Sequence, residues 1–224
     1  MNIYVVIPAF NEYETIHQVV KNINKAGYEV IVVDDGSTLH LDSYLKGLSL
    51  HLLRHNVNLG QGAALQTGIE YAVAKNADYI VTFDADGQHQ AIDIISLIQP
   101  LREGRCDVVM GSRFLLNASH NMNYKRRIIL CLARIFNFLT TGLLLTDAHN
   151  GLRAFTRKAA SQIHIHQNGM AHATELLHII KKKKLQFIEV PVHILYTDYS
   201  YEKGQSLWNS FRIVFDLFLN KIFK

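Results

Sequence analysis

Three apolar runs in the first half of the chain each end in polar, mostly acidic residues. IYVVIP leads into AFNE, EVIVV into DDGS, and DYIVTF into DADGQ. The segments between them have helical spacing. Residues 12–25 place Ile16, Val19, Val20 and Ile23 at i, i+3, i+4 and i+7, one face of an amphipathic helix. Residues 60–75 (GQGAALQTGIEYAVAK) read as a second helix and 91–99 as a third. Residues 51–54 read as a short strand, 78–87 as a longer one and 106–113 (CDVVMGSR) as another. Near-continuous apolar strands alternating with helices predict a parallel sheet covered on both faces. Ligands in such sheets bind beyond the carboxyl ends of the strands. The three polar ends therefore predict one crevice.

The second half has a different character. Residues 1–110 hold 7 Lys+Arg against 13 Asp+Glu, whereas residues 111–224 hold 16 against 6. A basic back half suits phosphates or an anionic membrane surface. Ile128–Leu145 is apolar, with Arg134 its only charge. Arg134, Asn137 and the Thr140-Thr141-Gly142 break argue against a span and for two short helices, on a membrane surface or under the fold. Residues 170–182 read as a helix, and 185–196 as two extended runs around Pro191. From Gln205 onward, Phe211, Val214, Phe215, Phe218, Leu219 and Ile222 recur at helical spacing among Arg212, Lys221 and Lys224. This predicts an amphipathic C-terminal helix over 205–224, docked on the core or lying in a membrane interface. With 49% hydrophobic and 19% charged residues the chain is neither disordered nor a soluble coiled coil. The first apolar run is short and lacks a basic flank, so no signal peptide is expected. Cys106 and Cys131, far apart in apolar contexts, read as reduced core residues of a cytoplasmic protein.

Asp84 and Asp86 are the strongest chemical signal. Two hard oxygen ligands one residue apart at a strand end suit Mg²⁺ or Mn²⁺, which usually complete their shell with phosphates and water, and Gln88 offers a third oxygen. The competing reading is a turn in which an aspartate caps the next helix. Asp34 and Asp35 also end a strand before Gly36 and Ser37. One carboxylate there can accept hydrogen bonds from a nucleobase, while the other serves an Asx turn. Gly60 and Gly62 open a helix, where exposed amides favour an anion, although close packing explains the glycines equally well. Arginines in GSR (111–113), KRR (125–127) and GLR (151–153) are suited to phosphate oxygens. Lys181–Lys184 reads as a solvated helix end and HIHQ (164–167) as a surface loop. No motif for a covalent nucleophile is present.

The motifs VVIPAFNE, VVDDGS, NLGQGAALQTGIEYA, FDADGQH, GSRF and TDAHNGLRAF occur in the order found in family 2 glycosyltransferases of the GT-A fold. The chain most resembles the dolichol- and polyprenyl-phosphate sugar transferases, and YTDYSYEKGQS (196–206) is similar to a signature of short bacterial envelope-polysaccharide members. The resemblance implies one GT-A domain over 1–204, with a nucleotide-binding half (1–113) and an acceptor half (114–204). It implies a donor pocket of Pro8, Phe10, Glu12, Asp35, Asp84 and Arg113. It also implies a metal held by Asp84, Asp86 and Gln88, and an acceptor side of Arg127 and Arg153. Asp86, Asp147 and Arg153 are the catalytic candidates.

That resemblance predicts metal-dependent, inverting transfer from a UDP- or GDP-linked sugar to a polyprenyl phosphate at the inner face of the cell membrane. The alternatives are transfer to a saccharide hydroxyl, with Asp147 as the base, and nucleotidyl transfer. No nucleic-acid partner is expected. Larger members of the family carry transmembrane helices after the catalytic domain. Here membrane contact is expected from 128–145, from the tail or through a small membrane-protein partner.

Overall fold

The structure, a computed structural model, describes residues 1–115, 135, 138, 139, 141–147 and 150–195. In chain order its elements are β1 (Ile3–Ala9), α1 (Ile16–Lys25), β2 (Glu29–Asp34), β3 (His51–Arg54), α2 (Gln61–Ala74) and β4 (Tyr79–Thr82), followed by α3 (Asp93–Arg102), β5 (Val108–Ser112), β6 (Arg153–Thr156), α4 (Arg157–Ala160), α5 (His172–Lys182) and β7 (Phe187–Pro191). The predicted C-terminal helix over 205–224, Arg127, Cys131 and most of 128–145 lie outside the described residues.

The seven strands form one sheet in the order β3-β2-β1-β4-β6-β5-β7. The chain steps outward from β1 through β2 to β3, then returns to the other side of β1 as β4. A parallel sheet opens a crevice where the direction of winding reverses, here between the ends of β1 and β4. Alternation of side chains along the strands builds a core on each face. Val5, Ile7, Val30 and Val32 pack with Ile16, Val20, Ile94 and Leu97 on one face. On the other, Val6, Ile31 and Val33 pack with Leu65, Ile69, Leu177 and Ile180. Cys106 is buried as expected.

Three sequence expectations change. The strand predicted over 78–87 stops at Thr82, and after Phe83 N donates to Val6 O (2.9 Å) the chain leaves the sheet. Asp84 and Asp86 therefore sit in the loop beyond the strand. The sheet is mixed, because β6, which the apolar pattern does not reveal, lies antiparallel between β4 and β5. The second extended run after Pro191 is only one bridge, Ile194 to His89. The antiparallel strand has a positional effect. β5 ends and β6 begins at the crevice edge of the sheet, so Arg153 is registered beside Thr82.

α2 crosses β1 and β2 at close range. A Cβ at Gly68 would collide with Val6 and press on Val33, both fully buried. Gly68→Ala should lose about 1–3 kcal/mol through overpacking, despite alanine's better helix propensity. Urea unfolding measures this, and a variant as stable as the parent would show that the helix can shift.

Candidate active site

The loop after β1 and the loop after β2 are tied into one wall. Asn11, at φ +57°, donates its N–H to Ser37 Oγ (2.9 Å) and accepts from Thr38 N (2.9 Å) and the Tyr13 hydroxyl (2.7 Å). Asp34 closes the turn by accepting from Ser37 N (2.9 Å), and Arg54 grips its other oxygen. Asp34 thus does the structural work expected of one member of the pair. Asp35, 2% exposed, accepts from Leu59 N (3.0 Å), Gly60 N (2.7 Å) and His55 Nδ1 (2.7 Å). It shapes the crevice wall through the loop after β3, with Oδ1 taking two of these bonds and Oδ2 one. Pro8 is buried in β1, Phe10 stands exposed at the mouth, and Glu12 is half-buried.

Gly60 and Gly62 do not open onto free space. A Cβ on either would strike the backbone at 167–168, and Gly62 N donates to Asn168 O (2.7 Å). Packing, the plainer of the two explanations, accounts for them.

Asp84 and Asp86 differ in environment. Asp84 accepts from His89 Nε2 (2.9 Å) on Oδ2 and from Gln61 Nε2 (3.3 Å) on Oδ1. Gly151 lies against the same carboxylate, where a Cβ would overlap it. Burial works to raise the Asp84 pKa. The His89 hydrogen bond and the charges of His89, Arg153 and His172 outweigh it and hold the carboxyl below its ordinary range. Asp86 goes the other way: burial and the neighbouring Asp84 charge raise its pKa, with Glu12 adding to the effect. Asp86 also closes an Asx turn, accepting from Gln88 N (3.0 Å) and Gln88 Nε2 (2.9 Å). Gln88 is thus a prop for Asp86 in this arrangement, its amide nitrogen turned inward. Asp86 does not cap α3, which begins at Asp93 without a side-chain cap.

Across the crevice, Arg113 Nε donates to Asp147 Oδ2 (2.6 Å), as does Arg113 N (3.1 Å). Asn150 Nδ2 reaches the same oxygen (3.3 Å). The turn carrying Asp147 is fastened from below: Glu189 on β7 accepts from Thr146 N (2.9 Å), the Thr146 hydroxyl (2.8 Å) and Asp147 N (3.0 Å). Arg153 is 4% exposed. Burial pulls its pKa down, while Asp84 and Asp147 counter that pull. His172, on α5, is pushed below the ordinary imidazole range by burial and the Arg153 charge, and its Nδ1–H donates to Gly169 O (2.9 Å). The structure therefore gathers Asp84, Asp86, Gln88, Arg113, Asp147 and Arg153 around one crevice. Sequence reasoning gave no role to His89, Gln61, Gly151, Glu189 or His172. Of these, only His172 carried a usable signal: a titratable residue on the apolar face of a helix.

No group of three or more His, Cys, Asp or Glu side chains among the described residues is placed to hold a metal. The constellation is two carboxylates on one side and guanidinium groups on the other, with no nucleophile. Residues 4–163 match the model of the family described as "Glycosyl transferase family 2". The chain is a family 2 glycosyltransferase. It is 34% identical over 244 residues to UDP-N-acetylglucosamine–dolichyl-phosphate N-acetylglucosaminyltransferase of Methanococcus voltae, covering 99% of this chain and 97% of that one. It is 25% identical over 200 residues to polyprenol monophosphomannose synthase of Mycolicibacterium smegmatis, covering 84% and 75%. Among solved structures it superposes on glucosyl-3-phosphoglycerate synthase of Mycobacterium tuberculosis in complex with Mn²⁺ and UDP. That match has a TM-score of 0.66 at 20% identity, over 88% of this chain and 72% of that one. This likeness bears on the fold, the GT-A arrangement expected from the sequence motifs.

Two predictions follow from the environment of the carboxylates. Because the folded-state pKa of Asp86 is raised, its ionised form weighs against the fold at neutral pH, and the penalty is relieved as pH falls through that value. Asp86→Asn should therefore raise the melting temperature at pH 7 in metal-free buffer, by about 2–4 °C per kcal/mol gained. The gain should shrink on acidification, and an unchanged or lower melting temperature would contradict it. Gly151→Ala should displace the Asp84 carboxylate and disturb its pairing with buried Arg153. Metal-dependent nucleotide binding should weaken about 10-fold or more, and the melting temperature should fall. Calorimetry on the two proteins checks this.

Proposed function

We propose that this enzyme transfers a sugar from a UDP-linked donor to a polyprenyl phosphate, with inversion and with help from a divalent metal. The observation that carries the proposal is Asp147 buried against Arg113, with Arg153 close by and the Asp84–Asp86 pair opposite. The Methanococcus voltae relative, matched over nearly its whole length, is named for a UDP sugar and a dolichyl phosphate, which supports the choice of donor and acceptor.

The two carboxylates fit Mg²⁺ or Mn²⁺ by donor chemistry. They are hard oxygens, and the upward pull of Asp84 on the Asp86 pKa is the repulsion that a cation relieves. A divalent ion bound there offsets the charge that builds on the departing diphosphate. This chain's residues do the rest. Asp84, held by His89 and Gln61, and Asp86, held by Gln88, fix the donor side. Phe10 offers an exposed ring at the mouth for the base. Arg113, oriented by Asp147, and buried Arg153 present positive charge to an anionic acceptor. An acceptor phosphate oxygen forms the new bond to the anomeric carbon while the bond to the diphosphate breaks on the opposite face, which inverts the centre. A phosphate acceptor is already ionised and needs no general base. A saccharide hydroxyl needs one, and the candidate, Asp147, has Oδ2 committed to Arg113 and Asn150. That commitment favours the lipid phosphate.

Among the described residues no helix is long and apolar enough to cross a membrane. Within the apolar segment 128–145, Ile135, Phe138, Leu139 and Leu144 are exposed. Exposed apolar side chains on a basic half suit a peripheral position on the anionic inner face of the cell membrane.

The test is to supply UDP-N-acetylglucosamine, dolichyl phosphate in vesicles and Mn²⁺ with no saccharide acceptor. A glycosylated lipid phosphate and free UDP are expected, abolished by chelator and by Asp86→Ala. A product that forms only when a saccharide is added would replace the acceptor, and pyrophosphate release would refute glycosyl transfer.

A further inference from the structure

His89 holds Asp84, yet nothing described so far says why that task falls to a histidine. It lies five positions after Asp84, in the loop between β4 and α3, and is 7% exposed. Its ring meets Phe83 edge-on, with centroids 5.4 Å apart. Its backbone is fixed from the other side: Ile194 bridges to it, and Leu195 N donates to Gln88 O (2.9 Å). A ring held on both sides has little freedom to turn.

The two ring nitrogens have unlike surroundings. Nε2 faces Asp84 Oδ2 at 2.9 Å. A carboxylate oxygen only accepts, so Nε2 carries the hydrogen. Nδ1 is buried and has no hydrogen-bond partner, the only buried side-chain nitrogen or oxygen of which this is true among the described residues. An unpaired buried polar atom is a cost to the fold. A hydrocarbon of similar size would fill this site without that cost. A histidine is worth its orphan nitrogen here only if the hydrogen bond from the other one matters.

We propose that His89 is a positioning residue that fixes the orientation of Asp84 through its Nε2–H alone, leaving the carboxylate's Oδ1 edge turned toward the donor diphosphate and its metal. This rests on the function proposed above. Gln61 reaches Oδ1 at only 3.3 Å, and the carboxylate occupies the space that a Cβ on Gly151 would take. The His89 hydrogen bond to Asp84, at 2.9 Å, is the shorter and better formed of the two. Residues that orient metal-binding carboxylates typically matter by 10–100-fold in affinity.

The two nitrogens can be separated by substitution. A glutamine amide nitrogen reaches the place of Nε2, whereas an asparagine amide reaches only that of Nδ1. The experiment is calorimetric titration of UDP in the presence of Mn²⁺ into the parent, His89→Gln, His89→Asn and His89→Leu proteins, with melting temperatures measured without ligand. The parent and His89→Gln should bind within about 3-fold of each other. His89→Asn and His89→Leu should bind about 10–100-fold more weakly, and both should melt below His89→Gln, since both lose the bond that stabilises the Asp84 anion. Parent-like affinity in His89→Leu, or equal weakening in the Gln and Asn variants, would overturn the role of Nε2. Weak binding in His89→Gln, with a melting temperature as low as that of His89→Leu, would show a structural role for the ring instead. If the parent itself binds no nucleotide with Mn²⁺, it is the proposed function that fails.

Discussion

A buried guanidinium organises this crevice. Arg153, at the start of an antiparallel strand, is almost wholly removed from water between a carboxylate of the donor side and one of the acceptor side. A charge in that position is tolerable only with paired partners. Asp84 and Asp147 provide them, and each is held in turn, Asp84 by His89 and Gln61, Asp147 by Arg113 and Asn150. Removing any one charge would leave its partner buried and unbalanced. The site is therefore a set of mutually dependent charges that the sheet presents as a unit.

The two aspartates of the DADG stretch divide their labour along the same lines. Asp84 belongs to the network and is stabilised as an anion, whereas Asp86 is destabilised as one. The opposite shifts separate Asp84, whose charge is balanced within the fold, from Asp86, whose charge is not. Activity and stability pull in different directions at Asp86, as is common where a site must hold charge.

The half of the fold written in local periodicity was legible in the sequence. Ile16, Val19, Val20 and Ile23 form the buried face of α1, and the three polar strand ends meet at one crevice. The carboxylates and arginines were legible too, because their chemistry shows in their type and order. What stayed hidden depended on partners distant in sequence. RAFT is too short and too mixed to announce a strand, and β6 forms because β4 and β5 each offer it an edge. The roles of His89, Glu189 and Gly151 exist only once loops from three parts of the chain are brought together. Nothing in DDGS reveals that Asp35 also accepts from the amides of Leu59 and Gly60.

The place of β6 in the sheet also bears on how the chain acquires its structure. Until residue 156 is available, β4 has an unpaired edge and β5 has no neighbour linking it to β1. The segment 1–113 therefore cannot complete its own sheet. On the ribosome it would wait with an exposed apolar strand edge, a surface that invites pairing with other chains. The last-made central strand closes that edge and delivers Arg153 to Asp84 in the same event. The charge network of the crevice cannot form before that strand is in place.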